Sequence, residues 1–154
     1  GEVNVVAPGI NGKMSEFNAA LGLLQLKHID KALEYRKQVD LAYRERLNGV
    51  TGIRCLGASG ESVANYAYFP VLVGNDYPVG RDELYQRLKD RGIHPRRYFY
   101  PLISEFPMYR GLRSAHRDNL PQATAAARQV LCLPIFPDLE MKVVDEVCRF
   151  ISEQ

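Results

Sequence analysis

Cysteine is scarce in this chain. Cys55, Cys132 and Cys148 are three, an odd number, and none stands in a Cys-x-x-Cys spacing. That argues against a disulfide framework and for reduced thiols packed among apolar neighbours. His28, His94 and His116 stand at no metal-ligand spacing with them, so no metal is expected. Charge of one sign is also in short supply. Lys and Arg number 20 against 18 Asp and Glu, a net charge of +2. A nucleic-acid binder of this size carries a stronger basic excess, so no nucleic-acid partner is expected. No stretch approaches the roughly 20 apolar residues of a membrane span, and no basic opening followed by an apolar run marks a secretory leader. The expectation is a cytoplasmic protein without a membrane. The chain also lacks a Ser-His-Asp signature, a carboxylate pair beside a glycine-rich loop, and a phosphate-binding loop. No self-contained active site is legible, and no catalytic residue is assigned within these 154 residues.

What is present is ordinary globular composition, 46% hydrophobic and 25% charged. At this length about two-thirds of the unfolded surface can be buried. Residues 2–6 read as a short strand or an extended entry. Ser15 is a good N-cap. From there to about Asn48 only Gly22 interrupts helical sequence, and Gly49 ends it. That predicts one helix of roughly 33 residues, about 50 Å long. Its two halves differ. Phe17, Ala19, Ala20, Leu21, Leu23, Leu24 and Leu26 surround the axis, whereas after Lys27 the apolar positions thin to an amphipathic stripe.

Strands are predicted over residues 53–56, 66–73, 93–99 and 130–133, with Pro70 marking an edge or a bulge in the second. Helices are predicted over residues 81–91, with Gly92 as the stop, over 121–129, opened by Pro121, and from a cap at Asp138 onward. Residues 100–119 show no clear periodicity, and long irregular segments in compact domains are often functional. The fold class is α+β: a short, mostly antiparallel sheet covered by helices and led by one long N-terminal helix.

Two stretches could carry chemistry. In Gly9-Ile10-Asn11-Gly12-Lys13-Met14-Ser15, a polar turn feeds a helix N-terminus, where free N–H groups favour anions. It lacks the glycine pattern of a nucleotide loop, so from the residues alone a capping turn with incidental polar residues is favoured over a phosphate contact. In Gly92-Ile93-His94-Pro95-Arg96-Arg97-Tyr98-Phe99-Tyr100-Pro101-Leu102, adjacent arginines meet three aromatics. Arginine matches phosphate and carboxylate geometry, and tyrosine can stack or hydrogen-bond. Neighbouring strand residues point to opposite faces, so only one of Arg96 and Arg97 should readily face a given ligand. A solvated arginine pair beside core aromatics remains the open alternative.

Taken in order, Gly9 to Gly22 with Gln25-Leu26, then Pro95-Arg96-Arg97-Tyr98-Phe99-Tyr100-Pro101-Leu102, Phe106-Pro107-Met108-Tyr109 and Leu131-Cys132-Leu133-Pro134, the chain resembles the C-terminal part of the DegT-type sugar aminotransferases. These are pyridoxal-phosphate (PLP) enzymes of the aspartate aminotransferase fold, type I. The resemblance implies a small C-terminal domain with its linking helix, residues 15–154, preceded by residues 1–14 belonging to the large-domain and dimer interface. It places the PLP-binding large domain, with the cofactor-bearing lysine, upstream of Gly1. It implies a homodimer, and a transaminase in the full-length protein that is inactive as this piece alone. The implied reaction transfers an amino group from glutamate to a dTDP-linked keto-6-deoxy sugar, giving a 3- or 4-amino product. By the same match Asn11 and Lys13 are cofactor-binding, and Arg96, Arg97, Tyr98 and Tyr100 line the nucleotide-sugar side of the cleft. Many members carry a histidine where this chain has Ile103, so no substrate contact is carried over there. A non-nucleotide cyclic ketone as substrate, a nucleotide- or nucleic-acid-binding module, and a pure dimerisation module stay as alternatives.

Overall fold

In the computed structural model, residues 12–57 and 64–154 are described. The chain divides into two units, Gly1–Lys31 and Ala32–Gln154. Elements in order are α1 (Glu16–Leu26), α2 (Ile29–Arg46), β1 (Ile53–Cys55), β2 (Phe69–Val73), α3 (Arg81–Asp90), α4 (Pro121–Gln129), β3 (Val130–Leu133) and α5 (Met141–Ser152). Three short 3-10 turns, Ile103–Glu105, Arg113–Ala115 and Arg117–Asn119, stand between α3 and α4.

In the first unit Ser15 caps α1, its hydroxyl accepting from the Asn18 N–H at 3.3 Å. None of the helix's residues is buried. The single long helix expected from the sequence is a correction: it breaks at residues 27–28. There the Lys27 and His28 N–H groups bond the carbonyls three residues back, at 3.2 and 3.0 Å, instead of four. No Gly or Pro marks the spot, but Asp30 then falls in the first turn of α2, where a carboxylate suits the helix dipole.

The second unit is built on an antiparallel sheet in the order β1-β2-β3. Alternation sends Phe69, Val71 and Val73 of β2 and Leu131 and Leu133 of β3 to one face. They meet Val39, Tyr43 and Leu47 of α2, Leu84 and Leu88 of α3, and Val144, Val147 and Ile151 of α5 in one core. Tyr43 stacks on Phe69 at 4.8 Å between centroids and donates its hydroxyl to the Pro134 carbonyl at 3.0 Å. The opposite sheet face carries Leu72, Val130 and Cys132, with Leu56 and Tyr98 packed on them.

Pro70 is a second correction, because it lies in the central strand. Cys132 opposite it spends its backbone groups on Arg96, so the Pro70 position faces β1 instead. There β1 has already ended, and Leu56 donates to the Pro70 carbonyl at 3.3 Å. The missing N–H therefore costs only a bond at a frayed strand end. Gly52, at φ +76, allows a tight approach, since a Cβ there would run into the Tyr77 backbone. Asp138 does not cap α5. Residues 136–139 close a turn through the Leu139 N–H and the Phe136 carbonyl, at 3.2 Å, which buries Leu139 and delays the helix to Met141.

Tyr77 is buried, and its hydroxyl donates to the Ile151 carbonyl at 2.7 Å. Burial pushes its phenol from 10.0 up to about 12. Folding favours the neutral form, so this stabilisation is complete below about pH 10 and is lost as pH rises toward 12. Tyr77→Phe should cost about 1 kcal/mol near neutral pH and flatten the alkaline loss of stability, read by denaturant unfolding across that pH range.

Candidate functional site

The site begins where α3 stops. The Gly92 N–H bonds the Lys89 carbonyl at 2.9 Å and the Ile93 N–H bonds that of Leu88 at 3.0 Å, with Gly92 at φ +76. This is a Schellman end, with Ile93 and Leu88 both in the core. It sends the chain along the outer edge of β3, where Arg96 and Cys132 exchange two backbone bonds of 2.9 and 2.7 Å. The strand expected over residues 93–99 is reduced to this one bridge. Pro95 has no N–H to give, and the next residues leave the sheet. Tyr98–Phe99 and Tyr100–Pro101 are cis peptide bonds.

Residues 94–101, with Tyr85, Lys89, Ile103 and Phe106, enclose a cleft of about 540 Å³. Arg96 and Arg97 lie against different rings but both line this cleft, which corrects the expectation that only one could face a given ligand: past the single bridge at Arg96 the chain leaves the sheet, and strand alternation no longer governs Arg97. Arg97 Cζ lies 4.5 Å from the Tyr85 ring centre and 5.4 Å from that of Tyr100, and Nη1 donates to Asp82 Oδ1 at 2.8 Å. Arg96 Cζ lies 5.6 Å over Tyr98, and among the described residues no carboxylate pairs with it. Tyr98 is half-buried. It rests on the second sheet face and meets Tyr68 edge-on at 5.2 Å. Tyr100 is exposed, with two guanidinium groups near its ring, Arg81 Cζ at 4.7 Å and Arg97 Cζ at 5.4 Å from the centre. All four predicted substrate residues thus converge on one cleft. Lys13 is exposed in the first unit, ahead of α1. Asn11 lies outside the described residues.

Sequence reading missed Arg81 and Asp82. The Arg81 side chain is 3% exposed, and Nη1 donates to the Ala127 and Val130 carbonyls at 3.1 and 3.0 Å. Its Nε lies 2.8 Å from Asp82 Oδ1 without being aligned for a hydrogen bond. One signal was there to read. An arginine opening a helix sits at the dipole's positive end, the wrong end for a cation.

Arg96 and Tyr98 also border a second hollow of about 470 Å³, walled by Tyr68, Cys132, Ile135 and Phe136. Its lining is mostly apolar. The first cleft is lined by Lys89, Arg96 and Arg97 and, among the described residues, by no carboxylate. Of the two, the first has the charge and the rings to suit an anion with a flat group.

The DegT/DnrJ/EryC1/StrS aminotransferase family matches residues 2–152. The chain belongs to this family. It is 49% identical over 150 residues to dTDP-4-amino-4,6-dideoxy-D-glucose transaminase of Escherichia coli, covering 97% of this chain and 40% of that protein. S. venezuelae DesV, solved in complex with ketimine intermediate, superposes with a TM-score of 0.81 at 28% identity, over 98% of this chain and 40% of the other. DesI, solved in the presence of its TDP-sugar product, gives 0.85 at 29%, over 94% and 36%. The chain thus spans about two-fifths of the length of these relatives.

Pyridoxal phosphate needs a lysine amine that can be held neutral, an acid for the ring nitrogen and a phosphate cradle. All six lysines here are exposed. The described residues do not fit the cofactor on their own; the basic lining of the first cleft suits an anionic group.

Burial raises the Cys132 thiol above its ordinary range, with Tyr98 packed over the same cluster. Tyr98→Ala should uncover it and speed its modification by a thiol reagent about tenfold or more, with Cys148 as the internal reference for a thiol that stays buried.

Proposed function

We propose that these residues are the C-terminal part of a PLP-dependent nucleotide-sugar aminotransferase, and that the cleft holds the diphosphate and base of a dTDP-linked keto-6-deoxy sugar while an amino group passes to it from glutamate. The observation that carries this reading is the cleft lined by Lys89, Arg96 and Arg97, with aromatic rings between them and no carboxylate among the described residues. A nucleoside diphosphate has the matching parts, two anionic phosphates and a flat ring. The names of the relatives, all at partial coverage, point to the same substrate class.

In this reading Arg97 keeps one Nη1 donor on Asp82. The remaining donors of its fork are turned to phosphate. Tyr98 and Tyr100 supply faces for stacking, and Arg96 adds charge at the border of the two hollows. PLP supplies the amino-transfer chemistry when bound, on a lysine that belongs to the rest of the protein. The protein is a homodimer in which residues 1–14 reach the partner's cofactor, with Asn11 on its phosphate and Lys13 beside it. Residues 15–154 form the small domain and its linking helix. Alone, the 154 residues have no transaminase activity.

In the intact protein, Arg97→Ala should raise KM for the dTDP-sugar about tenfold or more and leave KM for glutamate within about twofold. Equal shifts in both would remove Arg97 from the sugar site. Asn11→Ala should release PLP more readily on dialysis, followed by absorbance, and undiminished retention would remove it from the phosphate.

A further inference from the structure

The function proposed above uses Arg97 and Tyr100 but does not explain why a buried arginine lies directly behind them. Among the described residues, Arg81 and Asp40 are the only buried charged residues. Asp40 is held within its own helix by Arg44, at 2.7 Å. Arg81 makes three kinds of contact, two of them outside its helix. Its Nη1 is fixed to two carbonyls where α4 passes into β3. Its Nε meets Asp82 Oδ1 at 2.8 Å, and that same oxygen accepts from Arg97 Nη1 at 2.8 Å. Its Cζ lies 4.7 Å from the centre of the Tyr100 ring, whose distance to Arg97 Cζ is 5.4 Å.

Burying a guanidinium is costly unless it is well paired; the N-terminus of its own helix disfavours a cation, and its pairing comes from carbonyls at the C-terminal end of α4. A neutral side chain would fill this place at less cost if filling were all that was required. What Arg81 provides is a rigid post. Two of the groups that touch it, Asp82 and Tyr100, also touch Arg97.

We propose that Arg81 is a positioning residue for the cleft. Anchored to the α4–β3 junction, it holds the Asp82 carboxylate and the Tyr100 ring, and these two orient the Arg97 guanidinium for a nucleoside diphosphate. Arg81 itself does not line the cleft. Its effect on ligand passes through Arg97. The inference rests on the reading of the cleft as a nucleoside-diphosphate site.

The test uses the intact protein and dTDP as probe, with binding measured calorimetrically and unfolding followed in parallel. Arg81→Met should weaken dTDP about five- to tenfold, and Arg81→Lys, which keeps charge but not the planar fork, should recover only part of that. Asp82→Asn, at an exposed side chain that leaves the carbonyl contacts of Arg81 intact, should weaken dTDP about threefold with little change in unfolding. In an Arg97→Ala background, Arg81→Met should add less than about twofold, because the two act in series. KM for glutamate should stay within about twofold throughout. Undiminished dTDP affinity in Arg81→Met and Asp82→Asn, or full additivity with Arg97→Ala, overturns the proposal. If Arg81→Met does not fold, Asp82→Asn decides alone. Failure of the unaltered protein to bind dTDP overturns the reading of the cleft, and this inference with it; the other outcomes bear on Arg81 only.

Discussion

Cys132 turns its backbone N–H and C=O away from β2, toward the open side of the sheet, and Arg96 meets both. A buried strand edge needs partners for those groups, and here one residue supplies them. That exchange fixes the height at which the chain passes the sheet. Pro95 before it prevents the pairing from extending backwards. The chain is therefore pinned at one point and released, and its next four residues are the ones that wall the cleft. A full fourth strand would have laid Arg97 and Tyr98 flat along β3, with alternate side chains lost to the core.

Cations without partners repel, and the cleft gathers several. Two devices hold them together. Asp82 shares one carboxylate oxygen between Arg81 and Arg97. Aromatic rings lie beside the guanidinium groups, Tyr85 and Tyr100 at Arg97 and Tyr98 at Arg96. A ring attracts the cation through its charge and leaves N–H donors available to a ligand. The exposed Asp82 bond is worth under about 1 kcal/mol and is screened by salt, so it orients Arg97 without discharging it.

Local rules carried the sequence reading where the determinants were local. Gly92 ends α3, Pro121 opens α4, and residues 130–133 form β3 as the pattern requires. Arg96, Arg97, Tyr98 and Tyr100 of the cleft were legible because they cluster in five positions, whereas Tyr85, which also lines it, stands apart in α3. What escaped were features decided by distant partners. Pro70 occupies a central strand only because β1 ends opposite it. The turn at 136–139 outbid Asp138 as a cap by burying Leu139. Arg81 looked like one more charge on a surface helix, because nothing next to it in sequence reveals that α4 ends over it.

The first unit obeys different physics. α1 has 11 residues, fewer than the roughly 12–15 at which an isolated helix becomes even marginal. None is buried, and Phe17, Leu21, Leu23, Leu24 and Leu26 are all more than half exposed. At about 100° per residue, Phe17, Leu21 and Leu24 fall on one side of the axis, while Leu23 and Leu26 fall on the opposite side. Covering a leucine is worth about 1.5–3 kcal/mol, so a single contact surface would leave a large part of that stabilisation unused. Helices that are apolar all round are buried helices. The arrangement suits being gripped from two sides, and the proposed enzyme provides two: the remainder of its own subunit and a second copy of it.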